Sequence, residues 1–255
     1  MSVYLSVVIP AYNEAQRIIP TLRSVHAWLS TQSFSSEILV VDDGSRDDTR
    51  KVVGALAASE IPNLAVIESF PNRGKGHVVR LGMLTARGQL RLFMDADNST
   101  PISELPKLLA RLANSGSDVA IGSRRAPGAN QSIKPPWYRR AWSRIANRVV
   151  RAGLVEGILD TQCGFKLFTA AAAETVFSRT RTAGWGFDLE VLALARKIGF
   201  HIAEVAVEWQ DDARTKINPI RDAFRITGEF LKIRRAFRRG EYDLPARPAP
   251  RLIAA

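Results

Sequence analysis

The sequence predicts an α/β fold with a mostly parallel sheet covered by helices on both faces, and three observations carry that expectation. From Val3 to Ser123 short β-branched runs alternate with stretches of helical periodicity, the pattern of repeated βαβ units. Helix-start punctuation falls between the runs: Thr100 precedes Pro101, and Ser45 precedes acidic residues at Asp47 and Asp48. With 255 residues, 46% of them apolar, the chain is long enough to fill one large core.

In order, the strands are expected at LSVVIP from Leu5, EILVVDD from Glu37, LAVIES from Leu64, QLRLFMDAD from Gln89 and DVAIGS from Asp118. Helices are expected between them over Glu14–Ser30, Asp48–Ser59, Gly76–Ala86 and Ile102–Ser115. After Ser123 the character changes. A Gly/Pro/Asn-rich loop leads into a cationic, aromatic helix over about 136–154. A strand around Gly164–Phe168, helices over Ala170–Phe177 and Phe187–Ile198, and one strand, HIAEVAVEW, follow. The expected division is a catalytic domain over 1–217, a basic amphipathic helix over 218–240 and a disordered tail over 241–255, where PARPAP lies.

Charge narrows the partners. Lys and Arg number 36 against 25 Asp and Glu, a net +11 that invites an anionic partner. The first 120 residues hold 12 basic and 12 acidic side chains, so residues 121–255 carry the whole excess. One cysteine, Cys163, excludes an internal disulfide, and three scattered histidines exclude a Cys/His zinc cage; a reducing compartment is expected. No stretch approaches the roughly 18 apolar residues of a membrane-spanning helix, and no signal peptide is evident.

In open parallel sheets ligands bind beyond the carboxyl ends of the strands. Four consecutive ends here carry polar groups: Pro10 to Glu14, Asp42 to Ser45, Asn72 to Gly76, and Asp95-Ala96-Asp97. Two carboxylates spaced i, i+2 at a strand end can converge on a hard divalent cation that also binds phosphate, although a cap or solvated turn uses the same spacing. Asp42 and Asp43 suit either a base or ribose contact or an Asx turn. The NRGKG segment is neither a Walker loop nor a dinucleotide fingerprint, because Val79 occupies the third glycine position of GxGxxG.

SVVIPAYNE, VVDDGSRDDT, NRGKG, MDAD and AIGSR, in that order, closely resemble the GT-A family 2 glycosyltransferases, which use nucleotide sugars. DTQCGFKLF, WGFDLEVL and IAEVAVEW resemble the branch that acts on dolichyl and polyprenyl phosphates and includes the β-glucosyltransferases. The resemblance spans about Ser6 to Lys216. It implies that Pro10, Ala11, Tyr12, Glu14 and Ala96 line the nucleotide-sugar pocket. Asp42 or Asp43 would hold base or ribose, and Lys75 would stand near the pyrophosphate. Asp95 and Asp97 would bind Mg²⁺ or Mn²⁺ and, with Asp188, form the catalytic set; Asp188 and Glu190 are readable either as orienting groups or as helix-start residues, and the pocket reading is stronger for Asp188 than for Glu190. Arg124, with Arg139, Arg140, Ser143 or Arg144, would receive the acceptor phosphate. Asn98 departs from the glycine that glucosyltransferase relatives often carry after the second Asp. Eukaryotic members also have an N-terminal anchor helix, whereas strand one begins this chain, so membrane contact is expected from elsewhere.

Two stretches suit that contact. Lys134–Arg151 has six basic and no acidic residues, with Tyr138, Trp142, Ile145 and Val149 as an apolar stripe. Arg214–Arg239 has nine basic and two acidic residues, with Ile226, Phe230, Ile233 and Phe237 at the same spacing. Such helices lie in an anionic membrane interface, or pack on their own domain. The expected activity is inverting transfer of glucose from UDP-glucose to a dolichyl or polyprenyl phosphate at the cytoplasmic face of a membrane. GDP-mannose or a UDP-N-acetylhexosamine are the alternative donors. A basic nucleic-acid-binding protein, the competing class, is disfavoured because no nucleic-acid motif or stacking platform is visible.

Overall fold

A computed structural model describes residues 2–131, 154–210 and 219–243, with backbone alone for Gln131 and 219–227. Seven strands form one sheet: β1 (Leu5–Ala11), β2 (Ser36–Asp42), β3 (Leu64–Glu68), β4 (Leu90–Met94), β5 (Val119–Ser123), β7 (Phe165–Thr169) and β8 (Ile202–Ala206). Their spatial order is β3-β2-β1-β4-β7-β5-β8. All neighbours run parallel except β7, which lies antiparallel to both β4 and β5. A two-residue strand absent from the sequence expectation, β6 (Asn130–Gln131), pairs with β9 (Glu208–Trp209).

The period-2 alternation of each strand sends side chains to two cores. Val8, Val41, Phe93, Ile121 and Phe168 pack on one face against α3 (Lys75–Thr85), α5 (Ala170–Phe177), α6 (Phe187–Ile198) and α7 (Pro219–Arg238). Val7, Ile9, Val40, Leu92 and Leu167 pack on the other against α1 (Ile18–Ser30), α2 (Thr49–Ser59) and α4 (Leu105–Ser115). Helices thus cover both faces, as expected. The antiparallel β7 begins where its neighbours end, since Phe165 pairs with Met94. Its approach, Asp160–Gly164, therefore lies at the carboxyl ends of the parallel strands.

Several elements differ from the sequence expectation for local physical reasons. The first helix starts at Ile18 rather than Glu14. The Glu14 and Ala15 amides donate instead to Thr49 Oγ1 (2.8 Å) and Asp47 Oδ2 (3.2 Å), which holds that turn against the loop after β2. Ser45 does not cap α2; its hydroxyl accepts the Asn13 amide, and Asp47 accepts the amide of Thr49. Thr100 makes no cap, and Pro101 opens a 3-10 turn, Ile102–Glu104, ahead of α4. The single strand expected over 201–209 divides at Val207. Its partner β5 ends at Ser123, so the chain leaves the main sheet to meet β6.

The C-terminal region requires two corrections. Phe230, Ile233 and Phe237 do not face outward; they pack into the core beside α6, leaving Lys232, Arg235, Arg238 and Arg239 exposed. Residues 241–243, expected within the tail, are instead held by the domain, because Tyr242 is buried and its hydroxyl donates to Glu190; 244–255 lie outside the described residues. The cationic helix expected over about 136–154 lies almost entirely outside the described residues. Among the described residues no helix is long and apolar enough to cross a membrane.

Gly82 of α3 is where helix and sheet approach most closely. A Cβ there would overlap Val8 Cγ1 and sit 2.8 Å from Val41 Cγ2. Both contacts lie within a strand-bound core that cannot yield freely. We expect Gly82→Val to lower unfolding stability by about 1–3 kcal/mol, read as a lower urea midpoint with an unchanged slope.

Candidate active site

Beyond the carboxyl end of β4, Asp95 and Asp97 stand in a turn that Asn98 closes with φ 56°. The Asp95 amide donates to Gly164 O (3.0 Å), and the carboxylate rests where a Gly164 side chain would lie. Asp97 Oδ1 accepts the Ser99 amide (3.0 Å). Ala96 is buried, and its carbonyl accepts the Thr21 hydroxyl (2.8 Å), fastening the turn to α1. Burial first, and then the neighbouring Asp95 charge, pushes the Asp97 carboxyl above the usual carboxylate range. A carboxylate raised by its neighbour's charge is one that a cation would relieve.

The cation already present is Lys75, the first residue of α3. Its Nζ stands 2.6 Å from Asp95 Oδ1, 4.9 Å from the Trp185 ring centroid and 5.4 Å from that of Phe93. Burial pulls its ammonium down, but Asp95, Asp188 and Asp97 outweigh that and hold it above the ordinary lysine value. The loop before it is built by Asp43, whose two oxygens accept the amides of Arg73 and Gly74 at 2.8 Å each. Gly74, at φ 104°, takes a conformation a side chain would resist.

A second ion pair lies beneath the first. Lys166 of β7 is 1% exposed, and its Nζ donates to Asp188 Oδ1 and to Cys163 O, both at 2.5 Å. The Phe93 ring lies near both ammonium groups, 5.4 Å from Lys75 and 5.8 Å from Lys166, and packs edge-on against Phe187. Burial pushes the Asp188 carboxyl up, and Lys166 and Lys75 pull against it. Sequence reasoning missed Lys166. Its signal was a lone lysine inside the apolar run GFKLF.

The remaining expected residues separate by environment. Pro10 and Ala11 are buried in β1, and Tyr12 is exposed just after it. The Glu14 carboxylate is engaged by Arg17 at 2.5 Å. Beside it, an open cleft of about 660 Å³ is lined by residues of 13–17 and 46–48. Asp42 Oδ2 accepts the Ser45 amide (3.0 Å), while its Oδ1 is buried without a hydrogen-bond partner. Of the two aspartates, Asp43 is thus committed to its loop and Asp42 retains an acceptor. Glu190 is wholly buried; it accepts the amides of Arg181 and Thr182 and the Tyr242 hydroxyl, so it braces a loop.

Arg124 does not present an open fork to a phosphate. Asp160 grips it at 2.7 and 2.8 Å, the Arg124 amide donates to the same carboxylate, and Trp209 lies 5.4 Å from the guanidinium. Glu204 in turn accepts the amides of Leu159 and Asp160. Arg139, Arg140, Ser143 and Arg144 lie outside the described residues.

The mostly parallel sheet with its antiparallel strand, and the paired aspartates beyond its carboxyl ends, define the glycosyltransferase class of α/β fold that comparison with known proteins bears out. A model of the glycosyl transferase family 2 domain matches residues 6–177, and the chain belongs to that family. Over 248 residues it is 38% identical to the dolichyl-phosphate β-glucosyltransferase of Drosophila melanogaster, covering 90% of this chain and 76% of that one. The human dolichyl-phosphate β-glucosyltransferase is 33% identical over 251 residues, 94% of this chain and 78% of that one. Glucosyl-3-phosphoglycerate synthase from Mycobacterium tuberculosis, in complex with Mn²⁺ and UDP-glucose, shares the GT-A fold. It matches with a TM-score of 0.68 at 19% identity, over 91% of this chain and 78% of that one. The protein is a GT-A glycosyltransferase.

Two predictions follow from the buried pairs. Lys166→Met should cost about 3–5 kcal/mol of unfolding stability because it strands the Asp188 charge. Adding Asp188→Leu should recover part of that loss in the same denaturation measurement. Burial alone would raise the Asp160 carboxyl, but the Arg124 charge and hydrogen bonds hold it far below the usual range. A carboxyl depressed in the folded state contributes stability above its unfolded value near ~3.9 and loses it as pH falls. Asp160→Asn should therefore destabilise the chain at pH 7 and flatten the loss of stability below about pH 4.

Proposed function

We propose that the protein transfers glucose from UDP-glucose to dolichyl or polyprenyl phosphate with inversion, giving a β-linked lipid-phosphate sugar. The observation that carries this reading is the Asp95–Lys75 pair with Asp97 at the end of β4. The likeness to dolichyl-phosphate β-glucosyltransferases supports glucose as the transferred sugar and dolichyl phosphate as the acceptor.

Three carboxylates, Asp95, Asp97 and Asp188, face two ammonium groups, Lys75 and Lys166, so the site carries one excess negative charge. That charge, with the Asp97 carboxyl raised beside Asp95, fits a divalent cation. Among the described residues no three acidic, histidine or cysteine side chains form a cage; two carboxylates suffice where phosphate oxygens complete the shell. Asp95 and Asp97 would hold Mg²⁺ or Mn²⁺, which when bound stabilises negative charge on a leaving diphosphate.

The chain's own groups account for the rest. Asp42 Oδ1 offers a buried acceptor to a base or ribose, with Pro10, Ala11, Tyr12 and Ala96 along the same edge of the sheet. Lys75 shares its ammonium between Asp95 and the donor diphosphate, countering charge as the glycosidic bond breaks. An oxygen of the acceptor phosphate attacks the anomeric carbon, and the bonding electrons leave with the nucleoside diphosphate. A phosphate monoester has a second pKa of roughly 6, so the nucleophile is already ionised at neutral pH and needs no strong base. Asp188, held by Lys166, is accordingly assigned to orienting the site. Arg124, gripped by Asp160, shapes the approach, and Arg139, Arg140, Ser143 and Arg144 are the proposed phosphate contacts.

Membrane contact is assigned to charge rather than insertion for α7, because Phe230, Ile233 and Phe237 of its described part pack on the core. The exposed Lys232, Arg235, Arg238 and Arg239 suit the anionic surface of a cytoplasmic leaflet. Binding to phosphatidylserine vesicles should weaken steeply as salt rises, and charge-neutralising substitutions at these four positions should reduce it in a sedimentation assay.

The decisive experiment incubates purified protein with labelled UDP-glucose, UDP-N-acetylhexosamines or GDP-mannose, a dolichyl phosphate and Mg²⁺ or Mn²⁺. UDP-glucose should give a lipid-linked product that chelation abolishes. Asp97→Asn should lower turnover by about 10²–10³ without unfolding the chain. Absence of product with every donor in a folded sample would refute the reading.

A further inference from the structure

Thr182–Phe187 forms one wall of the site, and part of its support comes from beyond residue 177, where the family match ends. The lysine loop presses directly on this wall. Gly76 N donates to Ala183 O (2.8 Å), and a Cβ at Gly74 would stand 2.5 Å from the same carbonyl. Trp185, at the centre of the segment, lies against the Lys75 ammonium. It is 40% exposed, so packing on the core does not by itself hold it in place.

What lies behind Trp185 is Glu229 of α7. The Gly186 amide donates to Glu229 Oε2 at 2.5 Å. A Cβ on Gly184 would overlap Glu229 Oε1, and one on Gly186 would sit 2.7 Å from Oε2. The two residues flanking Trp185 are therefore both glycines packed against one carboxylate. Gly186 is also the N-cap of α6, two residues before Asp188, where a negative charge is favoured by the helix dipole. Glu229 is one of only two acidic residues in the otherwise basic stretch Arg214–Arg239.

We propose that Glu229 is a positioning residue of the transferase. By holding Gly184 and Gly186 it keeps Trp185 against Lys75, and so sets where Lys75 stands between Asp95 and the donor diphosphate. This rests on the reading above that Lys75 faces that diphosphate. It makes α7 part of the site's construction rather than an appendage to the domain.

The test pairs steady-state kinetics with amide hydrogen exchange on the ligand-free protein, for wild type, Glu229→Ala, Glu229→Gln, Trp185→Ala and the Glu229→Ala/Trp185→Ala double variant. Glu229→Ala should raise the donor KM about tenfold, the scale of one lost hydrogen bond to a charged group, and leave the acceptor KM nearly unchanged. Glu229→Gln, which keeps an acceptor oxygen, should recover part of the effect. The double variant should be no worse than the more impaired single variant, because both act through Lys75. Exchange in 182–187 and 73–76 should quicken about tenfold in Glu229→Ala, with the amides of β1 and β2 unchanged. An unchanged donor KM in folded Glu229→Ala, fully additive effects, or faster exchange confined to α7 would each overturn the proposal. If wild type itself transfers no sugar, the proposed reaction fails, while the exchange data still decide whether Glu229 holds the loop.

Discussion

The buried pair between Lys166 and Asp188 is the constraint on which the site depends. It joins the only antiparallel strand of the sheet to the first turn of α6, with both groups almost wholly out of water. Two charges at such depth persist only when paired and hydrogen-bonded, and Lys166 meets that requirement with Asp188 and the Cys163 carbonyl. Because β7 runs opposite to its neighbours, the residues leading into it arrive at the catalytic end of the sheet. Gly164 can then receive the Asp95 carboxylate, and Asp160 can reach Arg124. A seventh parallel strand in its place could not deliver these residues there, since its entry would lie at the opposite end of the sheet.

Acidic residues around the site fall into two groups by what their oxygens accept. Asp43, Glu190 and Glu229 take backbone amides from neighbouring loops, which fixes the paths of those loops. Asp95 instead faces an ammonium, and Asp42 keeps one oxygen without a partner. The first group builds the walls, and the second is not spent on the backbone in the same way. The distinction also explains why a cluster so rich in carboxylates stays folded. Amide donors and two lysines offset charges that would otherwise repel one another.

Much of this was legible in the chain. The βαβ alternation and the polar strand ends led to the sheet and to Asp95 and Asp97 beyond β4, because period-2 runs and turn residues act over a few positions, and the resemblance of the motifs led to the GT-A family. Local chemistry misled where distant segments compete for the same donors. Ser45 reads as a cap for α2, yet its hydroxyl serves Asn13, and Glu14 reads as helical while its amide is taken by Thr49. The stripe through Phe230, Ile233 and Phe237 reads equally as a membrane face or a core face, since amphipathic spacing does not name the surface it meets.

The sequence by itself determined the sheet, its two-faced burial and the residues at the strand ends, because each follows from spacing along the chain, and the resemblance of its motifs pointed to the family. Tertiary structure decided which of those residues are committed. It assigned Asp43 to a loop and left Asp42 with an acceptor, closed Asp160 on Arg124, drew Lys166 beneath Lys75, and set Glu229 behind Trp185. These partnerships join positions tens of residues apart through an antiparallel strand and a packed C-terminal helix. Sequence spacing carries no trace of such contacts, because they arise only when separate elements share one surface.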